Sequence, residues 1–283
     1  MCVPVESSAS GLTSYLEPST AEDYHSWDNA ASWMLGYPFV PRALGLAPRQ
    51  GSRVLDLGCG TGMFSCWVAR RYGAQVIGVD SSPHMLALAA KHHADPSVSY
   101  HSSVDGRVPF LRDGSVDAAM ACFVFNCIED PERLQVLVTE VGRVLRSGGR
   151  FTILGPHPDH ADGLLFEGFR RGTPGARYRA GQPIPVQVRR NDGSWVRIVD
   201  TYWPAATYHE LLIGAGFRDV HEYAPTVEDA IGVARPDLVT ARPWTQERRT
   251  PPFLLVTACR FMGASGVSRS PGNDDQLDLS RGQ

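Results

Sequence analysis

The chain has 283 residues, 43% of them hydrophobic, and a formal net charge of −3. This is enough apolar material for one substantial core or a core with an added lid, with no global basic field to draw the protein to nucleic acid or a membrane surface. No apolar run reaches the roughly 20 residues of a membrane span, and Met1–Ser7 lacks the basic-then-apolar order of a secretory signal. Six cysteines (Cys2, Cys59, Cys66, Cys122, Cys127 and Cys259) form no CxxC, so the expectation is a cytoplasmic protein with reduced thiols and no metal site.

Residues 1–12 are Ser-rich with little apolar content and are expected to be disordered. Residues 13–50 are dense in aromatics, with Tyr15, Tyr24, Trp27, Trp33, Tyr37 and Phe39 interrupted by Asp23 and Asp28. One helix through Tyr24–Leu35, broken near Pro38 and Pro41, is expected there. It is either docked on the core or a lid over a ligand, since rings with polar tips are typical of small-molecule pockets.

The core begins at residue 51. Arg53–Leu57 reads as a strand running into the turn Gly58-Cys59-Gly60-Thr61-Gly62, after which Met63–Ala69 has helical apolar spacing. A second strand, Gln75–Val79, ends at Asp80, twenty positions beyond Gly60. An acidic residue there is the expected partner of the two ribose hydroxyls of a nucleotide. Ser81-Ser82-Pro83 starts the next helix with a hydroxyl cap and an early proline. Ser97–His101 is a short polar strand, and Val116–Phe125 has the near-continuous apolar run of a buried central strand. Asp130-Pro131-Glu132 caps a helix over Arg133–Leu145, Ser147-Gly148-Gly149 stops it, and Arg150–Gly155 is the fifth strand. This alternation predicts an α/β fold with a doubly wound, mostly parallel seven-stranded Rossmann-like sheet, five strands of it in the core over 51–155.

Residues 156–203 break the alternation with five prolines, scattered arginines, and a hairpin in which Gln187–Arg190 and Trp195–Asp200 flank Asn191-Asp192-Gly193-Ser194. They read as an inserted cap that selects the substrate. Residues 204–262 complete the core with a helix over Tyr208–Ala215, a strand over Phe217–Tyr223 and a last strand over Phe253–Phe261. Residues 263–283 form a polar tail, expected to be disordered.

The turn itself narrows the ligand. A dinucleotide fingerprint wants a third glycine or alanine for close helix–strand packing, where this chain has Met63. Val54–Gly62, Gly78-Val79-Asp80-Ser81-Ser82-Pro83 and Arg143–Gly149 together resemble the class I S-adenosylmethionine-dependent methyltransferases. The resemblance covers roughly residues 50–155 and continues weakly through Leu211–Phe217. It implies that Gly58, Gly60 and Gly62 approach the methionine and ribose portions of S-adenosylmethionine. Asp56 would hold the methionine ammonium, and Asp80 the ribose hydroxyls. Ser81 and Met85 would flank the adenine, with Phe123 edging the cofactor. Where the family often places an aspartate for the adenine amine this chain has Val104, and the adjacent Asp105 is the substitute. Ala21–Trp27 resembles the segment that closes over the cofactor in small-molecule members, with Tyr24 near the methionine end. The cap loosely resembles toxoflavin N-methyltransferase and the teleocidin and indole C-methyltransferases.

Methyl transfer chiefly requires alignment, with a base where the acceptor is a hydroxyl or amine. His157, fixed between Pro156 and Pro158 just after the fifth strand, is the first candidate. Tyr24 is the second, as base or as a group orienting the sulfonium, and Glu167 in the cap is the third, facing a cationic acceptor. The expected acceptor is a small, aromatic or heterocyclic natural product, methylated on nitrogen, carbon or oxygen. Alternatives are an RNA- or protein-directed methyltransferase using the cap arginines, or a cofactor-binding cyclase or regulator of the same fold. The N-terminal segment docks in its own subunit or across a homodimer, and the sequence leaves both open.

Overall fold

The computed structural model describes residues 11–261 and the backbone of Val3–Pro4. The expected tail lies outside the described residues, as does most of 1–12. In chain order the elements are β1 (Val3–Pro4), α1 (Pro18–His25), α2 (Ala30–Leu35), α3 (Val40–Leu44), β2 (Arg53–Leu57), α4 (Met63–Tyr72), β3 (Gln75–Asp80), α5 (Pro83–His92), β4 (Val98–Ser102), β5 (Val116–Cys122), α6 (Pro131–Val144) and β6 (Leu145–Pro156). Then follow β7 (Asp162–Phe166), β8 (Phe169–Gly172), β9 (Pro183–Arg189), β10 (Trp195–Thr201), α7 (Ala205–Gly214), β11 (Phe217–Tyr223), α8 (Val227–Ala230), α9 (Pro236–Ala241) and β12 (Phe253–Arg260).

The main sheet has seven strands in the order β11-β12-β6-β5-β2-β3-β4. Pairings from β6 through β4 are parallel, and β12 runs antiparallel between β6 and β11. The chain leaves β2 outward to β3 and β4, then crosses back to β5, so the carboxyl ends of β2 and β5 form the crevice where an open sheet of this kind binds ligands. Helices cover both faces. α6 buries Leu134, Leu137, Val138, Val141 and Val144, the stripe its three- and four-residue spacing predicts, and Asp130 caps it by accepting the Glu132 amide at 2.9 Å. On the opposite face Met34, Leu35 and Val40 pack with Phe64, Val68 and the fully buried Trp244. No helix among the described residues is long and apolar enough to cross a membrane, and the five described cysteines are free.

Four expectations change. The single helix over Tyr24–Leu35 is instead two helices parted at Ser26–Asn29. The break has a local cause: Trp27 bridges to Arg190 of the cap, Asp28 donates its amide to the Arg189 carbonyl at 2.8 Å, and the Asp28 carboxylate accepts the Ala30 amide at 3.1 Å to start α2. Pro41 starts α3 rather than ending a helix, because an early helical position needs no amide hydrogen. The stretch expected to be disordered contributes β1, paired parallel to β10, and the buried Leu12. The fourth central strand stops at Cys122, before Phe123 takes a left-handed φ of 59°.

The cap is larger than a hairpin. It is a five-stranded sheet, β1-β10-β9-β8-β7. Within this chain the N-terminal segment docks onto its own cap: Thr13 and Val199 exchange hydrogen bonds at 3.1 and 2.8 Å, and Arg190 pairs with Asp23. Asp28 meets Arg189 at 2.7 Å and Arg242, just after α9, at 2.8 Å. Burial opposes ionisation of Asp28, but hydrogen bonds from Arg189, the Ala30 amide and Arg242 outweigh it and hold its pKa low. That stabilisation is present above the unfolded carboxylate range and is lost as pH falls through the depressed folded value.

Removing a largely buried partner leaves Arg189 and Arg242 with only their longer contacts to Glu167, at 3.9 and 3.8 Å, whereas exposed pairs contribute little. Asp28→Ala is therefore expected to cost about 2 kcal/mol in urea unfolding near neutral pH, with the difference fading in acid. Asp113→Ala, which breaks the exposed pair with Arg143, should cost about 0.5 kcal/mol or less. Equal costs for the two substitutions would contradict this account of how the segment is held.

Candidate active site

The turn after β2 is shaped by three glycines with left-handed φ values: Gly58 at 71°, Gly60 at 52° and Gly62 at 77°. A side chain at any of them would be strained, but their surroundings differ. A Cβ on Gly58 would lie 2.3 Å from Val124, and one on Gly62 would lie 2.3 Å from the Tyr100 hydroxyl. Gly60 faces open space, with Tyr24 at 3.8 Å as its nearest neighbour. The Tyr100 hydroxyl donates to the His93 carbonyl at 2.8 Å, so Gly62 packs the start of α4 against α5 and β4. Contrary to the expectation from sequence, it does not line the cavity, whereas Gly58 and Gly60 do.

Asp80, at the end of β3, fixes this turn. Its Oδ2 accepts the Gly60 amide at 2.9 Å and its Oδ1 accepts the Ser82 amide at 2.8 Å. Burial raises its pKa, while the amides of Ser82, Gly60 and Ser81 pull the other way. Asp56, buried one strand over, accepts a short hydrogen bond from the Ser65 hydroxyl. Burial pushes Asp56 up to about 7, with Asp80 adding to the rise and Ser65 opposing it.

Above the turn lies a cavity of about 1280 Å³, larger than the usual range for one small ligand. Asp80, Ser81, Met85, Asp105 and Phe123 line it on the core side. Val104 points to solvent with 59% exposure, and the left-handed φ of Asp105 (50°) accompanies the turn that sets the aspartate in the wall. Tyr24 and Trp27 roof the cavity, with ring centroids 4.8 Å apart, and Tyr15 meets Tyr24 edge-on at 6.2 Å. A smaller recess next to Asp56 is lined by Tyr24, Tyr37, Gly58 and Cys122. Burial pushes the Tyr24 hydroxyl up to about 12, with a hydrogen bond to Tyr37 opposing it.

The family model described as a methyltransferase domain matches residues 55–153. N-demethylindolmycin N-methyltransferase of Streptomyces griseus is 35% identical over 212 residues, which are 74% of this chain and 89% of that enzyme. The chain belongs to the class I S-adenosylmethionine-dependent methyltransferases. Demethylmenaquinone methyltransferase of Tropheryma whipplei is 34% identical over 135 residues, 48% of this chain and 49% of its own length. Among solved structures, an S-adenosylmethionine-dependent methyltransferase from Mesorhizobium loti is similar at a TM-score of 0.52 and 26% identity, over 79% of this chain and 98% of that one.

S-adenosylmethionine is therefore the methyl donor, and the methyltransferase has the groups to hold it. Gly60 leaves room for a ligand against the backbone, as a Cβ there would meet nothing closer than Tyr24. Asp80 presents a carboxylate to the cavity, the group expected to accept the ribose hydroxyls. Asp56 faces a recess whose other polar side chains include the hydroxyls of Tyr24, Tyr37 and Thr61, oxygens able to accept from an ammonium. Met85 would supply an apolar face and Asp105 the acceptor for the adenine amine.

The base candidates fare differently. Tyr24 lines the cavity, and burial raises the pKa of its hydroxyl. His157 is not in the cavity lining: its ring accepts the Asp159 amide at 3.3 Å to cap a short 3-10 turn and packs on His160 at 4.6 Å. Glu167 is also away from the lining. It sits at the β7–β8 turn, 3.8 Å from Arg242 and 3.9 Å from Arg189. Lining residues that were not foreseen include Asn126, Arg171 and Asp200, all buried. Asp200 had a signal in the sequence, because it falls on the buried register of β10 with Val196 and Ile198.

Asp80→Ala should weaken S-adenosylhomocysteine binding about tenfold or more in calorimetry, since hydrogen bonds to a charged group are each worth about 1.5–3 kcal/mol. An unchanged affinity would remove Asp80 from the site. Asp56 provides a pH test. Its raised folded pKa means that ionisation costs stability as pH rises from the unfolded value through about 7. A bound ammonium favours the ionised form, so affinity should rise from about pH 5.5 to about pH 7 with proton release. Asp56→Asn should flatten that profile, and a wild-type affinity independent of pH would contradict the assignment.

Proposed function

We propose that the enzyme methylates a nitrogen of a small, neutral aromatic or heterocyclic natural-product acceptor, held between the N-terminal segment and the cap. One observation carries this reading. The cavity runs uninterrupted from the Asp80 turn to the cap sheet under a roof of aromatic rings, with room for an acceptor beside the cofactor. The likeness to an enzyme named for N-methylation of demethylindolmycin supports a small acceptor and nitrogen as its methylated atom. The RNA alternative draws on cap arginines, yet Arg189 and Arg190 are paired with Asp28 and Asp23 and Arg171 is buried in the cavity wall. These cations are not available to neutralise phosphates.

Bound S-adenosylmethionine supplies a methyl group on a positively charged sulfur, and the acceptor lone pair displaces the thioether as the new bond to carbon forms. The chain's own contribution is to align and enclose. Phe123 and Tyr37, with rings 5.8 Å apart and edge-on, wall the approach to the turn, and Tyr24 and Trp27 exclude water from above. Holding two reactants in line in this way removes several kcal/mol from a bimolecular barrier. With His157 and Glu167 outside the lining and Tyr24 neutral, an amine that loses its proton after transfer needs less from this site than a hydroxyl would.

Incubation with S-adenosylmethionine and N-demethylindolmycin, together with a panel of aromatic amines, tests the proposal by mass spectrometry. One methyl increment on a small acceptor, with matching S-adenosylhomocysteine, is expected. Methyl label found on RNA or protein and on none of the small acceptors would overturn it. Tyr24→Phe should lower kcat about tenfold with little change in cofactor affinity, while His157→Ala should leave kcat within about twofold. The reverse order would return His157 to the mechanism.

A further inference from the structure

The cap wall of the cavity contains two buried charged residues, Arg171 and Asp200. β8, β9 and β10 present one face to the cavity. Across it Arg171 is in register with Val186, which is in register with Ile198, and Asp200 lies two residues further along β10. Val186, Val196 and Ile198 pack with Trp27 on this face, so Arg171 and Asp200 interrupt an apolar wall.

Each is hydrogen-bonded through one polar atom, while its remaining polar atoms are buried without a partner among the described residues. The Arg171 guanidinium donates through Nη2 to the Thr201 carbonyl at 3.3 Å and lies 5.7 Å from the centre of the Tyr202 ring. Its Nε and Nη1 have no protein partner among the described residues. Asp200 Oδ2 accepts from Asn126 Nδ2 at 3.0 Å, while Asp200 Oδ1 and Asn126 Oδ1 are likewise unpartnered. Arg171 is 3% exposed, Asp200 4% and Asn126 6%, and all three line the cavity. Buried polar groups left without partners are costly, and four such atoms on one cavity wall describe a complementary ligand. It should bring an acceptor to Arg171 and a donor to Asp200 and Asn126.

Resting on the small-acceptor reading above, we infer that Arg171, Asp200 and Asn126 form the acceptor's recognition site and select a neutral ring system carrying a carbonyl beside an N–H, as in a lactam or carboxamide. Charge balance decides the class. The wall already contains one cation and one anion, so a carboxylate acceptor would face Asp200 and an amine cation would face Arg171. Bringing either net charge into this buried wall carries a desolvation penalty that a neutral amide edge avoids. Trp27 and Tyr24 offer flat apolar surface for the rest of the ring. Asn126 belongs to the core, just after β5, and Asp200 to the cap. Their hydrogen bond therefore fixes the recognition wall relative to the cofactor turn.

The probes are quinolin-2-one, its N-methyl derivative, quinoline-2-carboxylate and L-tryptophan, titrated at about pH 8, where a carboxylate is ionised, into protein saturated with S-adenosylhomocysteine. Binding is followed by calorimetry and saturation-transfer NMR. Quinolin-2-one should bind best, and its N-methyl derivative about tenfold more weakly because the donor to Asp200 is gone. The carboxylate and the zwitterion should bind more weakly still. Arg171→Met and Asp200→Asn should each weaken quinolin-2-one about tenfold while S-adenosylhomocysteine affinity stays within about twofold. Equal binding of the two quinolinones, tighter binding of the carboxylate or tryptophan, or no quinolinone binding to the loaded wild type would overturn the inference. If a variant loses the fold, the wild-type panel alone decides it. Failure of S-adenosylhomocysteine itself to bind would instead count against the cofactor site.

Discussion

Asp80 joins two turns with one carboxylate. By accepting the Gly60 amide on one oxygen and the Ser82 amide on the other, it fixes the glycine turn after β2 to the start of α5. The two strands that bring it there, β2 and β3, are parallel neighbours with Asp56 opposite Gly78. The crevice at their carboxyl ends would be shapeless without that bridge, because Gly58 and Gly60 have left-handed backbones that many other conformations compete with. The amides also favour the charged form of Asp80 in a place where burial opposes it. The turn and the acid are thus mutually dependent.

The second dependency is between the N-terminal segment and the cap. Neither covers the cavity alone. Asp23 and Asp28 anchor the segment to the β9–β10 hairpin through Arg190 and Arg189, and Arg242 draws the segment after α9 to the same carboxylate. A residue pair of this kind contributes modestly when exposed and strongly when one partner is largely buried. Asp28 is of the second kind. Ion pairs away from the turn therefore tie the segment with the aromatic rings to the cap.

Much of this was legible in the sequence, for reasons that are local. β2, β3 and the glycine turn follow from short-range apolar pattern and left-handed glycines, and Asp80 from its fixed distance beyond Gly60. Those residues also carry the family likeness. What was not legible depends on contacts distant in sequence. The apolar and aromatic spacing of Tyr24–Leu35 suits one helix, and only pairing with Arg189 and Arg190, more than 150 residues away, opens it at Ser26–Asn29. His157 had the right chemistry and the right strand end, but its ring closes a local turn. Glu167, expected to face a cationic acceptor, instead lies near Arg189 and Arg242, and Arg190 pairs with Asp23. Gly62 has the glycine of the motif for a packing reason, the ring of Tyr100. Of the residues proposed to face the acceptor, Asp200 falls on the buried alternation of β10, while Arg171 lies on the short strand β8, whose inward side is visible only once its register with β9 is known.

The account centres on one cavity with two compartments, a cofactor floor at Asp80 and a polar recognition wall in the cap. The most direct measurement is a crystal structure of the enzyme with S-adenosylhomocysteine. It should show the ribose hydroxyls on Asp80, the amino acid end beside Asp56 beneath Tyr24, and an unfilled space reaching Arg171 and Asp200. A ligand lying along the cap wall, or one whose ribose avoids Asp80, would contradict it.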